Sequence, residues 1–206
     1  MLGINKIQEY LQIEDPESRL IICPNPYKLN SYTPTGASID FRLGRWFLIM
    51  QQSKTHKIDL TIGRDEKDFE YKEGKQYFVP FSEKFVLHPG RFVLAVTFEW
   101  LKLPPSLGAY VIGKSSLGRR GLIIETAAGI HPGFSGCLTL ELYNCGEIPI
   151  VISPGMRICQ LFFHEIVGGV EAPNSKFGGR RRPTFGGFEP DDFVKRNHAS
   201  GKQLSF

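Results

Sequence analysis

Between Gly113 and Gly121 the chain reads Gly-Lys-Ser-Ser-Leu-Gly-Arg-Arg-Gly, so three cations and two hydroxyls crowd among three glycines. Glycine-rich backbone N–H groups, hydroxyl donors and a forked guanidinium suit a polyphosphate. Standing alone, the segment fits a solvated basic loop as well. It also overlaps a literal GxxxxGK[ST] pattern, Gly108 to Ser115. A P-loop needs those residues to be a loop between a strand and a long helix, with its N–H groups curled around phosphate. Here Ala109–Ile112 reads as the strand itself, and Gly118 and Gly121 follow too soon for a long helix. The P-loop reading is set aside.

A second chemical feature is Cys137-Leu138-Thr139-Leu140-Glu141-Leu142-Tyr143. Its period of two sends Leu138, Leu140 and Leu142 to one face of a strand and Thr139, Glu141 and Tyr143 to the other. Glu141 is then either a surface carboxylate on a wet face or, where that face lines a cleft, a general base. Zinc chemistry finds no support. The H-x-E and P-C-x-x-C signatures of the zinc deaminases are missing, and His56, His88, His131, His164 and His198 are dispersed without an HExxH pair. Gly133-Phe134-Ser135-Gly136 has the wrong spacing for a serine nucleophile elbow. The expected catalysis is metal-free at the reacting carbon, and Mg²⁺ enters only with a triphosphate ligand.

The elements that must position these residues read as strands. Short apolar or alternating runs rich in Val, Ile, Phe and Tyr recur at Leu20–Cys23, Ile39–Met50, Lys57–Ile62, Gln76–Val79, Phe92–Glu99, Ala109–Ile112, Leu122–Ile124, Leu138–Tyr143, Pro149–Ile152 and Ile158–Phe163. Pro-Gly turns at Pro89, Pro132 and Pro154 each lead into one. Ile4, Ile7 and Leu11, with Tyr10 beside them, predict one short amphipathic helix at the start. The chain is therefore mainly β, a sandwich, barrel or jelly roll. The polar stretch Thr55–Lys75 reads as a surface hairpin.

With 206 residues and 41% hydrophobic content, the chain can bury its own core. The net charge of +4 is too small for a general nucleic-acid binder. Three of those four charges fall after residue 170, where seven Lys/Arg meet four Asp/Glu. No run of 18 apolar residues predicts a membrane span, Met1–Leu11 does not read as a signal peptide, and the four cysteines form no framework. A cytoplasmic protein with reduced thiols is expected. The division is a β domain over 1–166 and a Gly/Arg/Phe-rich tail over 167–206, which is either a solvated tail or an active-site lid.

Several segments together resemble the dCTP deaminase family. They are Gly36-Ala37-Ser38-Ile39-Asp40-Phe41-Arg42-Leu43-Gly44, Leu87-His88-Pro89-Gly90, Ser115 to Gly121, Thr126 to Gly136, Leu140-Glu141, and Pro154-Gly155-Met156-Arg157-Ile158-Cys159-Gln160-Leu161. The resemblance implies a dUTPase-like distorted β-barrel or jelly roll with a short N-terminal helix. It implies a homotrimer with active sites shared between subunits. The reaction implied is zinc-independent deamination of dCTP to dUTP and ammonia, supplying dUTP for thymidylate synthesis. By motif position Glu141 is the general base, while Ser115 and Arg119 orient water and phosphates. Lys114, Ser116, Leu117 and Gly118 belong to the phosphate-gripping segment. Thr126 and Ala127 approach the attacking water, His131 the sugar, Thr139 and Leu140 the cytosine edge, and Gln160 the nucleotide. Ser175–Thr184 is similar to the tail segment that folds over the triphosphate, with Lys176 at the lysine and Arg180 at the glutamine of that pattern. No protein metal ligand is implied beyond Mg²⁺ carried by the triphosphate, and dTTP is the candidate inhibitor. The alternatives are a dUTP diphosphatase or bifunctional enzyme, and a deoxynucleotide-binding regulatory protein. His131 stands where the pattern has aspartate, which argues against dUTP hydrolysis. Gly168–Ser175 holds no counterpart of the pattern's tyrosine.

Overall fold

A computed structural model describes residues 1–28, 36–51, 57–67, 73–125, 129–168 and 178–195. Helix α1 (Ile4–Gln12) lays the fully buried Ile7 on the core, as its spacing predicts. Eleven strands follow: β1 (Ile21–Cys23), β2 (Ile39–Met50), β3 (Gly74–Phe78), β4 (Phe85–Leu87), β5 (Phe92–Lys102), β6 (Leu107–Gly113), β7 (Leu122–Glu125), β8 (Gly129–Ile130), β9 (Ser135–Asn144), β10 (Ile150–Ile152) and β11 (Arg157–Glu165). A single helical turn, α2 (Ser115–Gly118), joins β6 to β7.

Nine strands make one antiparallel sheet in the order β7-β9-β5-β2-β11-β6-β8, with β1 added to β5 and β3 to β2. β4 and β10 pair separately. Register shifts between Leu43 and Phe47, between Val96 and Trp100, and between Arg157 and Cys159 bend the long strands. Such bulges add twist and let a sheet curl onto itself. The curl encloses Phe41, Phe47, Leu101, Leu140, Leu161 and Phe163, all fully buried. Phe47 stacks on Phe85 at 4.5 Å and ties the small β4–β10 pair to the same core. The mainly β architecture with one short N-terminal helix is the expected one.

Three strand expectations need correction. Lys57–Ile62 is not a strand: Asp59 accepts the Thr61 backbone N–H at 3.0 Å, and this local turn competes with extended pairing. Leu60 and Ile62 are left exposed. No surface hairpin forms among the described residues of 55–75; Arg64 instead pairs with Phe188 of the tail. β4 and β8 were not anticipated, being three and two residues long. The three Pro-Gly turns are present, with Gly90, Gly133 and Gly155 at positive φ just ahead of β5, β9 and β11.

The bulge in β5 is bridged by a side chain. Thr97 donates its hydroxyl to the Glu99 carbonyl at 2.8 Å and accepts the Leu138 N–H at 2.9 Å. Glu99, with no solvent exposure, accepts the Arg42 N–H at 2.7 Å and its guanidinium at 2.9 Å. Burial pushes the Glu99 carboxyl up, against those two bonds. Asn144, also fully buried, closes the far end of β9. Its amide donates to the carbonyls of Leu87 and Ile148, and its oxygen accepts the Gly146 N–H, each at 2.9 Å. Asn144→Ala strands all three groups, and is expected to lower the unfolding free energy by about 3 kcal/mol, measured by urea denaturation.

Candidate active site

The phosphate-type segment is held by close approaches at two glycines. A Cβ at Gly113 would stand 3.1 Å from the Ile124 side chain, a tight contact that glycine avoids where β6 ends against β7. Gly121, at φ +87°, turns the chain out of α2 and into β7, where a Cβ would meet the Gly146 backbone at 3.0 Å. Between them, Lys114 is the residue ahead of α2, and its carbonyl accepts the N–H groups of Leu117 and Gly118 at 2.9 and 3.0 Å. Arg120 turns back to donate to the Ser116 carbonyl at 2.6 Å. Ser115, Ser116, Gly118 and Arg119 are exposed, and Leu117 packs on the core.

Lys114 does not point its ammonium at solvent. It donates to Oδ1 of Asp40 at 2.7 Å, and Arg157 approaches Oδ2 of the same carboxylate at 3.7 Å. Asp40 is 5% exposed. Its register partner on β11 is Gln160, whose amide lies 3.4 Å from the Ser38 hydroxyl. Lys114 and Gln160 are thus brought together around Asp40. Sequence reasoning passed over Asp40 and Arg157 as functional residues because the Asp40–Lys114 pairing spans 74 positions.

On β9 the alternation is as expected. Leu138, Leu140 and Leu142 are buried, while Thr139 and Glu141 lie half-buried on the other side. Glu141 is opposite Leu94 of β5 and Glu125 of β7. Because α2 enters β7 at Leu122, opposite Asn144, Glu141 lies three residues further along, about 10 Å at strand rise. His131 is exposed between β8 and β9, near the start of β6 rather than its end. Thr126, Ala127 and Lys176 lie outside the described residues.

Arg180, the expected phosphate ligand, is engaged within the chain. Its guanidinium forks onto Glu66, with Nη1 on one carboxylate oxygen and Nη2 on the other at 2.8 Å. The Thr184 hydroxyl adds a third bond to Glu66 at 2.6 Å. The surrounding tail joins the body: Gly179 N–H donates to the Ser135 carbonyl at 2.6 Å, and Cys137 N–H to the Arg180 carbonyl at 2.9 Å. Arg181 stacks over Trp100 at 5.2 Å and Arg182 over Trp46 at 4.0 Å. Pro183 and Thr184 are buried. An open hollow of about 500 Å³ lies between Gly63–Glu66 and Gly187–Glu189 and is lined by no residue of α2 or β9.

All four cysteines are free thiols. Among the described residues no three His, Cys, Asp or Glu side chains gather as metal donors, and no helix is long and apolar enough to cross a membrane.

The dCTP deaminase-like family model matches residues 11–166. The chain belongs to this family. It is 36% identical over 206 residues to a dUMP-forming dCTP deaminase of Dictyoglomus turgidum, covering 96% of this chain and 99% of that one. It is 42% identical over 157 residues to a dUMP-forming dCTP deaminase of Corynebacterium glutamicum, covering 72% and 79%. A dCTP deaminase of Natronomonas pharaonis is 42% identical over 153 residues, covering 71% and 76%. The crystal structure of the 2'-deoxycytidine 5'-triphosphate deaminase of Agrobacterium tumefaciens shares the fold, with a TM-score of 0.57 at 24% identity. That match covers 79% of this chain and 45% of the other, so the chain spans less than half of that structure. The fold is accordingly the mainly β one of that structure.

The clasp carries a pH signature. Arg180, with Thr184 added, holds the Glu66 carboxyl down at about 2 from its ordinary 4.5, against the opposing effect of partial burial. A depressed carboxyl stabilises fully above its unfolded value and loses that contribution as pH falls through the folded one. Both tryptophans of the chain lie under tail arginines. Their emission is expected to hold steady from about pH 8 to pH 5 and to change between about pH 4 and pH 2. Glu66→Ala should show the released emission at neutral pH and speed tryptic cleavage at Arg180–Arg182 about tenfold.

Proposed function

We propose that this protein deaminates dCTP hydrolytically, with Glu141 as general base. Glu141 takes a proton from the water that attacks C4 of cytosine. It returns that proton toward the ring and the departing amino group, which leaves as ammonia. What supports the reading above all is the placement of Glu141. It stands half-buried on the polar side of β9, beside Thr139, whose backbone would read the cytosine edge together with that of Leu140. The whole-length relative named for this reaction supports it further.

Ser115 and Arg119 are assigned to the developing charge and the phosphates, with Ser116, Leu117 and Gly118 in the same segment. Thr126 and Ala127 would meet the water, His131 the deoxyribose, Gln160 the nucleotide, and Lys176 the triphosphate. Mg²⁺ would arrive with the triphosphate, as part of the substrate. The sites on this reading are completed by a second copy, in a homotrimer. The exposed Tyr110 and Ile112 of β6 and Val86 and Val151 of the β4–β10 pair offer apolar surface for such contacts. We place the enzyme in the cytoplasm, with dTTP as its candidate inhibitor.

A second reading is favoured by the names of the relatives: those of Dictyoglomus and Corynebacterium are dUMP-forming. On that reading the chain carries dCTP through to dUMP, and His131 does not prevent it.

Incubation with dCTP and Mg²⁺, following ammonia and pyrophosphate together, separates the readings. Ammonia alone identifies a dUTP-forming deaminase, and both products a dUMP-forming one. Binding without either product would leave a deoxynucleotide-binding protein. Glu141→Gln is expected to cut ammonia release by at least about a hundredfold while dCTP binding survives. Near-normal turnover in that variant would remove Glu141 from the chemistry.

A further inference from the structure

We infer that Asp40 is a positioning residue for the Ser115–Arg119 segment, acting through Lys114 rather than by touching nucleotide. The inference rests on the deaminase reading for its consequence, though not for its geometry. α2 is one turn of four residues, too short to be stable by itself. Lys114, at its N-cap, makes no side-chain capping bond to it. Beside the packing of Leu117 on the core, the turn is tied to the sheet through Lys114. Its N–H donates to the Ile158 carbonyl of β11 at 3.3 Å, and its ammonium reaches Asp40 of β2 at 2.7 Å. The Lys114 carbonyl, fixed by those two tethers, then receives the N–H groups of Leu117 and Gly118.

The Asp40 tether is built to last. The carboxylate is 5% exposed, and its second oxygen faces Arg157. A buried carboxylate between two cations leaves the cluster with net positive charge, which suits a neighbouring triphosphate. Removing the carboxylate frees a long, flexible side chain and takes the tension off α2. Asp40 therefore sets where Ser115, Ser116 and Arg119 stand before substrate arrives, a preorganisation that a mobile turn cannot supply.

The test is a double-mutant cycle of Asp40→Asn, Lys114→Met and the pair, read by amide hydrogen exchange in the free protein and by steady-state kinetics with dCTP. Asp40→Asn is expected to speed exchange across residues 115–119 by about tenfold, leaving the β5–β9 amides unchanged. It should also raise KM for dCTP about tenfold, with a smaller fall in kcat. Lys114→Met should match it, the double variant should be no worse than the worse single one, and Asp40→Glu should recover most of the loss. Unchanged exchange at 115–119, or acceleration spread evenly over the whole chain, would overturn the proposal, as would additive effects in the cycle. Should Asp40→Asn fail to fold, Lys114→Met leaves Asp40 facing Arg157 and gives the same exchange readout. Absence of ammonia from the wild type would sink the deaminase reading instead, while the exchange data would still decide the role of Asp40.

Discussion

The pleat of β9 couples the core to the site. Leu138, Leu140 and Leu142 fill the interior, and the same backbone must therefore present Thr139 and Glu141 on the opposite face. A slip of one residue would exchange the two sets, putting a carboxylate into the core and leucines onto the polar face. The strand is secured against that slip along its whole length. Gly179 and Arg180 of the tail hold its start, the Thr97 hydroxyl holds Leu138 at the β5 bulge, and Asn144 holds its end. On the proposed reading, that register also sets where Glu141 stands.

Buried charge plays a comparable part on β2. Asp40 and Arg42 stand two positions apart and so share a face, each engaged with a charge from another strand or turn: Asp40 with Lys114 and Arg157, Arg42 with Glu99. Such pairs gain little net stability once desolvation is counted, and the upward push on the Glu99 carboxyl is the sign of that cost. Their directionality is the more useful property. A leucine cluster would fill the same volume at less expense, but could not hold Lys114 in one orientation at the mouth of α2.

Much of the fold was legible from the chain because it is written in local terms. The apolar or alternating runs of β2, β5, β9 and β11, the helical spacing of Ile4, Ile7 and Leu11, and the Pro-Gly turns each need only a window of a few residues. Lys57–Ile62 failed that test because Asp59 competes for the backbone with its own side chain, an effect that hydrophobic patterning ignores. β8 escaped because two residues carry no periodicity at all. For the candidate site, the motifs located Glu141 and the Ser115–Arg119 segment. They were silent on Asp40 as the partner of Lys114, 74 positions away, and on Glu66 as the partner of Arg180, 114 positions away. Ion pairs are made by tertiary proximity, and residue type alone names no partner.

That limit bears directly on Arg180. Against the family pattern it stands as a charge in place of a glutamine, and a change at a nucleotide-facing position invites an explanation in terms of ligand preference. Glu66 offers a different one. A guanidinium presents two parallel N–H donors to a carboxylate, whereas a glutamine amide can offer its donors from only one nitrogen and brings no opposite charge. The Arg180–Glu66 fork therefore works only with arginine at this position, and Thr184 and the stacked Arg181 and Arg182 reinforce the same docked arrangement. The basic triplet is thus engaged with Glu66, Trp100 and Trp46 of the same chain. The departure at Arg180 and the Gly63–Glu66 stretch become two halves of one intramolecular contact.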